Sequence, residues 1–236
     1  MPVGKAGPGG KKAKERAFPP SLAGGCLRYA VMEVLGFGRL IDPKSQEAMR
    51  AGSVLHKEFQ GQLQKDHAMC SVEVPLRDNG WGVSGRMDAL VQTGTGPLVI
   101  EYKTVGSERF QTIREEGPLV AHWAQLQLYL TLSSVAKGAL VVDERPRGDR
   151  LIYHAQQDPV WTVWLQARVA LVKEYQAKRK LPPREVSRAC LFCDRWQRCF
   201  SSEEERDRQV QEHPQWEPQP PVPLSIGYHI SQDIVS

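Results

Sequence analysis

Leu98-Val99-Ile100-Glu101-Tyr102-Lys103-Thr104 decides how this chain is read. Three apolar residues open it as a buried strand, yet Glu101 and Lys103 follow, and residues two apart share a face. Two charges on one face of a buried strand are costly unless they are paired or bound to something. Upstream, Val83 to Gln92 reads as a second strand, and Thr93-Gly94-Thr95-Gly96-Pro97 between the two is a hairpin signal. A four-residue link over 93–96 sets Asp88 opposite Glu101 and Arg86 opposite Lys103. A slip of one residue would move the acids to opposite faces.

In that register two carboxylates lie about 5 Å apart at Cβ. They repel unless a cation lies between them. Oxygen donors of this kind suit Mg²⁺ or Mn²⁺. Lys103 beside them can hold a water or a phosphate oxygen. That chemistry fits metal-assisted phosphodiester hydrolysis. The competing reading takes Glu101–Lys103 and Asp88–Arg86 as salt pairs on a solvated face.

Around the hairpin the pattern alternates between helix and strand. Asp42-Pro43 caps and opens a helix over about 44–65, with Ala48, Ala51, Leu55, Phe59 and Leu63 in helical spacing. His56 lies near the stripe of Gly52, Phe59 and Leu63, as a core histidine or as a ligand. Val72 to Leu76 alternates as a half-buried strand. Pro118 opens a helix over about 119–134, on which Gln125 and Tyr129 are four apart and present together. Gly138 to Val142 and Leu151 to His154 read as strands, and a helix over roughly 159–180 ends at Leu181-Pro182-Pro183. The order predicts a mixed α/β (α+β) domain.

The formal net charge is +4. Residues 1–17 form a Gly-rich basic arm expected to be disordered, 18–202 the folded domain, and 203–236 an acidic, then Pro-rich tail. The modestly basic body suits a polyanion partner without proving one. No apolar run approaches the ~18 residues of a membrane span, so no membrane role is expected. Five cysteines in this length do not read as a secreted disulfide framework. A cytoplasmic protein with reduced thiols is expected. No Gly-x₄-Gly-Lys-Ser/Thr motif is present, which excludes a fused P-loop helicase.

Cys190-Leu191-Phe192-Cys193 is followed by Cys199, and Cys26 lies 164 positions upstream of Cys190. Four thiolates can hold zinc or an iron–sulfur cluster. Cys70 stands outside this pattern and reads as a small buried residue. Arg184, Arg188, Arg195 and Arg198 crowd the triplet with Phe192 and Trp196 among them. Such a mixture suits single-stranded nucleic acid or ordinary packing with solvated charge.

Taken in order, Gly52-x-x-x-His56, Gly85-x-x-Asp88, Glu101-x-Lys103 and Gln125-x-x-x-Tyr129 resemble the RecB-like branch of the PD-(D/E)XK nuclease superfamily, across roughly residues 22–200. The resemblance implies a restriction-endonuclease-like core, a central mixed sheet flanked by helices. It implies that His56, Asp88, Glu101 and the Tyr102 carbonyl hold Mg²⁺ or Mn²⁺. It assigns the attacking water to Lys103, and the catalytic groups or the DNA strand to Gln125 and Tyr129. The distant-single plus local-triple cysteines resemble the iron–sulfur staple of CRISPR-associated RecB-like exonucleases. They imply a 4Fe–4S cluster on Cys26, Cys190, Cys193 and Cys199 that joins N- and C-terminal helical parts. The expected activity is a DNA exonuclease, favouring single-stranded DNA and 5′→3′ polarity, in CRISPR adaptation, phage recombination or repair. The rivals are a structure-specific endonuclease of the same chemistry, a non-catalytic DNA-binding subunit, and a zinc-stapled RNA-processing protein.

Overall fold

A computed structural model describes residues 16–145, 148–212, 228–231 and 233–234. Most of the basic arm and the Pro-rich part of the tail lie outside the described residues. Six helices and six strands follow in the order α1 (Leu27–Val34), α2 (Pro43–Asp66), β1 (Cys70–Asp78), β2 (Val83–Thr93), β3 (Gly96–Gly106), α3 (Ser107–Glu116), α4 (Val120–Ser133), β4 (Lys137–Arg145), β5 (Arg150–Gln156), α5 (Pro159–Lys178), α6 (Glu203–Glu212) and β6 (Tyr228–Ser231). The strands form one sheet in chain order, β1 to β6. Only β3 and β4 run parallel; every other neighbouring pair is antiparallel. A parallel pair needs a crossover connection, and α3 with α4 supplies it.

Local chemistry accounts for the helix starts. Asp42 accepts the Ser45 N–H at 2.9 Å and Pro43 takes the first turn of α2. Asp158 accepts the Val160 N–H at 2.8 Å and Pro159 does the same for α5. Helix α5 ends in Arg179 with φ +48°, a left-handed stop before Pro182.

The sheet divides the core in two. On one face Val99, Leu140, Val142 and Tyr153 meet α4 and α5 through Trp123, Leu126, Leu130, Trp161 and Leu165. On the other, α2 lays Phe59 and Leu63 on Ile100, Tyr102, Ala139, Val141 and Ile152. Leu98 through Tyr102 are all buried, so β3 is covered on both sides. That is the strand in which the charges of Glu101 and Lys103 appear.

The hairpin turn is tighter than expected. Thr93 pairs with Gly96, leaving a two-residue turn at Gly94-Thr95 in place of the four-residue link, with the register unchanged. Helix α3 was not expected; α1 is the N-terminal helical part that the resemblance implied without bounds, and α6 lies in the stretch expected as an acidic tail. Helix α3 is short and polar, and its periodic signal rests on Phe110 and Ile113 alone. Helix α6 opens on Glu203, Glu204 and Glu205, and β6 pairs residues 228–231 with β5.

Candidate active site

Strands β2 and β3 pair from Thr93↔Gly96 to Ala89↔Ile100 and then part. Asp88 and Glu101 therefore meet through side chains rather than as ladder partners. Asp88 Oδ2 accepts the backbone N–H of Tyr102 at 2.8 Å. The expected placement of Arg86 opposite Lys103 does not occur. Arg86 pairs with Pro75 of β1, and its Nε lies 3.1 Å from Glu73 Oε2. Engaged by Glu73, Arg86 makes no ion pair with Asp88 among the described residues.

Glu101 is 0% exposed. Lys103 Nζ stands 2.5 Å from its Oε1. Glu101 Oε2 has no hydrogen-bond donor among the described residues. Burial pushes the Glu101 carboxyl up to about 7, and the charge of Asp88 adds to that, while Lys103 and His56 oppose it. Burial works against the Lys103 charge, but Glu101 and Asp88 outweigh it and hold the ammonium above its ordinary value. The Glu101–Lys103 pair is real, and it is buried rather than solvated.

His56 reaches in from α2, its Nδ1 3.6 Å from Asp88 Oδ1. Its ring meets Tyr102 edge-on at 4.8 Å, and Phe59 stacks on Tyr102 at 4.1 Å. The Tyr102 hydroxyl donates to Asp143 Oδ2 at 2.8 Å on the face of the sheet that α2 covers. Gln125 and Tyr129 are buried, not a surface pair. Gln125 Nε2 donates to the Tyr129 hydroxyl at 3.1 Å, which donates to the Arg86 carbonyl at 2.6 Å. Helix α4 thereby braces β2 two residues before Asp88. Gly85 is required beside that brace, since a Cβ there would stand 2.6 Å from Pro20 Cδ.

Three more residues belong to this neighbourhood. His122 falls on the stripe of Gln125 and Tyr129, a spacing visible in the sequence. Its Nδ1 is buried without a hydrogen-bond partner among the described residues. Burial, with the charges of Lys103 and Arg109, pulls its pKa down to about 3. Gln60 and Glu73 lie beside Asp88; Gln60 is an ordinary glutamine of an amphipathic helix, and nothing in its spacing marks it.

Cys26, Cys190, Cys193 and Cys199 lie in the segments that meet where the start of α1 is tied to residues 182–198. Cys26 caps α1, its thiol accepting the Tyr29 N–H at 3.4 Å. Burial raises the Cys26 thiol to about 12 and the Cys193 thiol to about 11. The Cys190 thiol contributes to the shifts of Cys26, Cys193 and Cys199 alike, so it is the common neighbour of the other three. Cys70 has no thiol among its influences. Among the described residues no three His, Cys, Asp or Glu side chains converge on one point.

The arginines near the cysteines are mostly committed to the protein. Arg195 is 2% exposed, its Nη2 2.5 Å from Glu33 Oε2 and 3.0 Å from the Phe37 carbonyl. Arg184 donates to the Cys199 carbonyl at 2.7 Å and pairs with Glu205. Arg198 lies over Phe37, and Trp196 carries Arg206. Packing accounts for this mixture better than a strand-binding path does. Phe192, 84% exposed, is the exception.

The β2–β3 donors fit a hard divalent cation. The charge of Asp88 raises the cost of ionising Glu101, one Glu101 oxygen is buried with no donor among the described residues, and an imidazole stands beside them. Mg²⁺ and Mn²⁺ keep several waters, so two carboxylates suffice without a closed protein cage. Thiolates are the donors of zinc and iron–sulfur chemistry, but among the described residues Cys26, Cys190, Cys193 and Cys199 do not converge as a formed site.

No curated protein matches the chain. Among solved structures, SSO0001 is 23% identical with a TM-score of 0.52, covering 81% of this chain and 89% of its own. The alkaline exonuclease LHK-Exo from Laribacter hongkongensis, in complex with dAMP, is 14% identical with a TM-score of 0.55, covering 69% and 89%. A second LHK-Exo structure is 12% identical with a TM-score of 0.50, covering 65% and 78%. At such identities the likeness is one of fold, a restriction-endonuclease-like core. A family model spans residues 26–200, from the first cluster-type cysteine past the last and across the whole β2–β3 site. This chain belongs to the PD-(D/E)XK nuclease superfamily.

Proposed function

We propose that this nuclease is a metal-dependent DNA exonuclease that prefers single-stranded DNA and degrades it 5′→3′. The observation that carries the reading is Glu101, fully buried, with one oxygen lacking a donor and the other held by Lys103 beside Asp88. A buried carboxylate in that state is waiting for positive charge. Asp88 and Glu101 would hold the cation, with His56 and the Tyr102 carbonyl beside them. A bound Mg²⁺ or Mn²⁺ supplies a lowered water pKa and neutralises charge on the phosphate.

The chain's own residues do the rest. Lys103 orients the attacking water with its ammonium and adds positive charge where the phosphate gains negative charge. Gln125 and Tyr129 fix the β2 backbone at Arg86 and so hold Asp88 in place. The likeness in shape to an alkaline exonuclease supports exonucleolytic action. Cys26, Cys190, Cys193 and Cys199 take a 4Fe–4S cluster in this reading, a structural staple between the two ends of the domain. The shared neighbourhood around Cys190 supports it. DNA is the partner, and recombination, repair or CRISPR-adaptation proteins are the setting, in the cytoplasm. Among the described residues no helix is long and apolar enough to cross a membrane.

The test is hydrolysis of end-labelled linear single-stranded DNA with Mn²⁺, wild type beside Glu101→Ala and Lys103→Ala. Wild type releases label from the 5′ end, and each variant loses activity on the order of 10⁴-fold, about 5.5 kcal/mol of barrier. Closed circular single-stranded DNA stays intact. Cleavage of the circle would make the protein an endonuclease; an inert wild type with its cluster intact would make it a DNA-binding subunit.

A further inference from the structure

Asp88 stands where β2 releases both of its neighbours. Toward β3 the ladder ends at Ala89↔Ile100. Toward β1 it runs to Val72↔Ala89 and resumes at Val74↔Met87, leaving out Glu73 and Asp88. On the β1 side the interruption falls on Glu73, whose φ is +52° in mid-strand. A glutamate in left-handed backbone is strained and persists only where its surroundings over-determine it.

The surroundings are Gln60 and Arg86. Gln60 comes from α2 and is 6% exposed. Its Nε2 donates to Glu73 Oε1 at 3.0 Å and to the Asp88 carbonyl at 3.1 Å. Both amide hydrogens are thereby used, which fixes the amide in one orientation. Arg86 Nε holds Glu73 Oε2 at 3.1 Å. Both Glu73 oxygens are occupied, so Glu73 is not a spare carboxylate for a cation.

We propose that Gln60 and Glu73 form a tie that positions Asp88 for the divalent cation. The Gln60 amide replaces the ladder bond missing at the Asp88 carbonyl, and Glu73, bent into left-handed backbone, anchors the amide. Asp88 is then held at two points, its carbonyl by Gln60 and its carboxylate by the Tyr102 N–H. The inference rests on the proposed metal role of Asp88 and adds two residues that neither touch the metal nor the substrate. They are positioning residues, and partners of this rank tune metal affinity by about 10–100-fold.

The experiment measures Mn²⁺ binding to the full chain by the loss of the free Mn²⁺ paramagnetic resonance signal, with no DNA present. Gln60→Ala and the isosteric Gln60→Glu weaken binding about 10–100-fold. Cleavage at saturating Mn²⁺ returns to within a few-fold of wild type. The double variant Gln60→Glu/Glu73→Gln restores the bond between positions 60 and 73 with its polarity reversed and the total charge kept. It leaves the Asp88 carbonyl without a donor, so its Mn²⁺ affinity stays weak. Wild-type affinity in either the folded Gln60→Ala or the double variant overturns the tie. Should Gln60→Ala not fold, Gln60→Glu and the double variant carry the same readout. A lowered Tm with unchanged Mn²⁺ affinity also overturns it, since that is what simple structural support would give. Glu101→Ala is the reference that loses Mn²⁺. If wild type itself binds no Mn²⁺, the metal reading of the site falls and the tie with it; if only Gln60→Ala is unaffected, the tie alone falls.

Discussion

The β2–β3 end and the cysteine end of this molecule gather reactive groups by opposite means. At β2–β3 the sheet does the placing: Glu101 and Lys103 pair on a strand buried on both faces at Leu98–Tyr102, and Glu101 keeps an oxygen with no donor among the described residues. At the cysteine end the chain over 181–200 has only two short 3₁₀ turns, Arg188–Phe192 and Trp196–Arg198. There the backbone is caught by side chains from elsewhere. Arg28 donates to the Pro182 carbonyl at 2.5 Å and to the Arg198 carbonyl at 3.3 Å, and the Leu27 N–H donates to Glu185 Oε2 at 2.6 Å. Arg195 and Glu33 close the same seam from inside. A templated site can carry unsatisfied charge because the ladder holds its shape. A site without a ladder must spend its polar groups on holding itself together, and it gains most from a cross-link.

That contrast can be broken by removing a proposed cluster ligand in one region and a charge in the other. Cys26→Ser, compared with Cys70→Ser, should abolish the iron–sulfur absorbance and cost up to about 5 kcal/mol, because the closed loop is so long. Chemical unfolding measures the cost, and limited proteolysis should cut first within 181–200. An unchanged unfolding midpoint would show that the arginine seam holds this end unaided. Lys103→Ala should cost about 3 kcal/mol in metal-free protein by leaving Glu101 buried and unpaired. Glu101→Gln, which removes the charge and keeps the shape, should cost far less. Equal losses would mean that packing, not charge, governs the strand.

The same asymmetry has a pH signature. The Glu101 carboxyl sits at about 7 in the folded chain, above its ordinary 4.5. The native state therefore binds that proton more tightly than the unfolded state does. Its contribution to stability is complete below 4.5 and is lost as pH rises toward 7. Thermal melts of metal-free protein should show this fall, and either Mn²⁺ or Glu101→Gln should flatten it. A smaller effect is expected from Tyr129→Phe, which removes one hydrogen bond to the Arg86 carbonyl at a cost of about 1 kcal/mol. Its Mn²⁺ affinity should drop more than its Tm suggests if α4 positions Asp88.

Much of the fold was legible because its elements carry strong local signals. The Asp-Pro start of α2, the Pro-Pro stop after α5 and the apolar run of β3 each point to one structure, and the Gly-rich turn marks the hairpin though not its two-residue length. The strand parting at Asp88 was not legible. It depends on the left-handed backbone of Glu73 and on Gln60 arriving from a helix, and neither leaves a trace in spacing. The bounds of helix α1 escaped because its eight residues follow a cysteine cap rather than Ser, Thr, Asp or Asn. Arg195 read as a surface charge because a sequence does not show that Glu33 waits for it inside. His122 was within reach, one turn before Gln125 on the same stripe.

The pairing of β6 with β5 has a consequence for how the molecule is made. Residues 228–231 join a strand that ends at Gln156, after α5 and α6 have already been synthesised. Until they leave the ribosome, β5 is an open edge with unpaired amides along Ile152 to Ala155. Such an edge is a template for strands of other chains. The nascent nuclease therefore passes through an interval in which its sheet is five strands wide and adhesive. Slowing translation between the codons of α6 and those of β6 should increase aggregation without altering the finished protein.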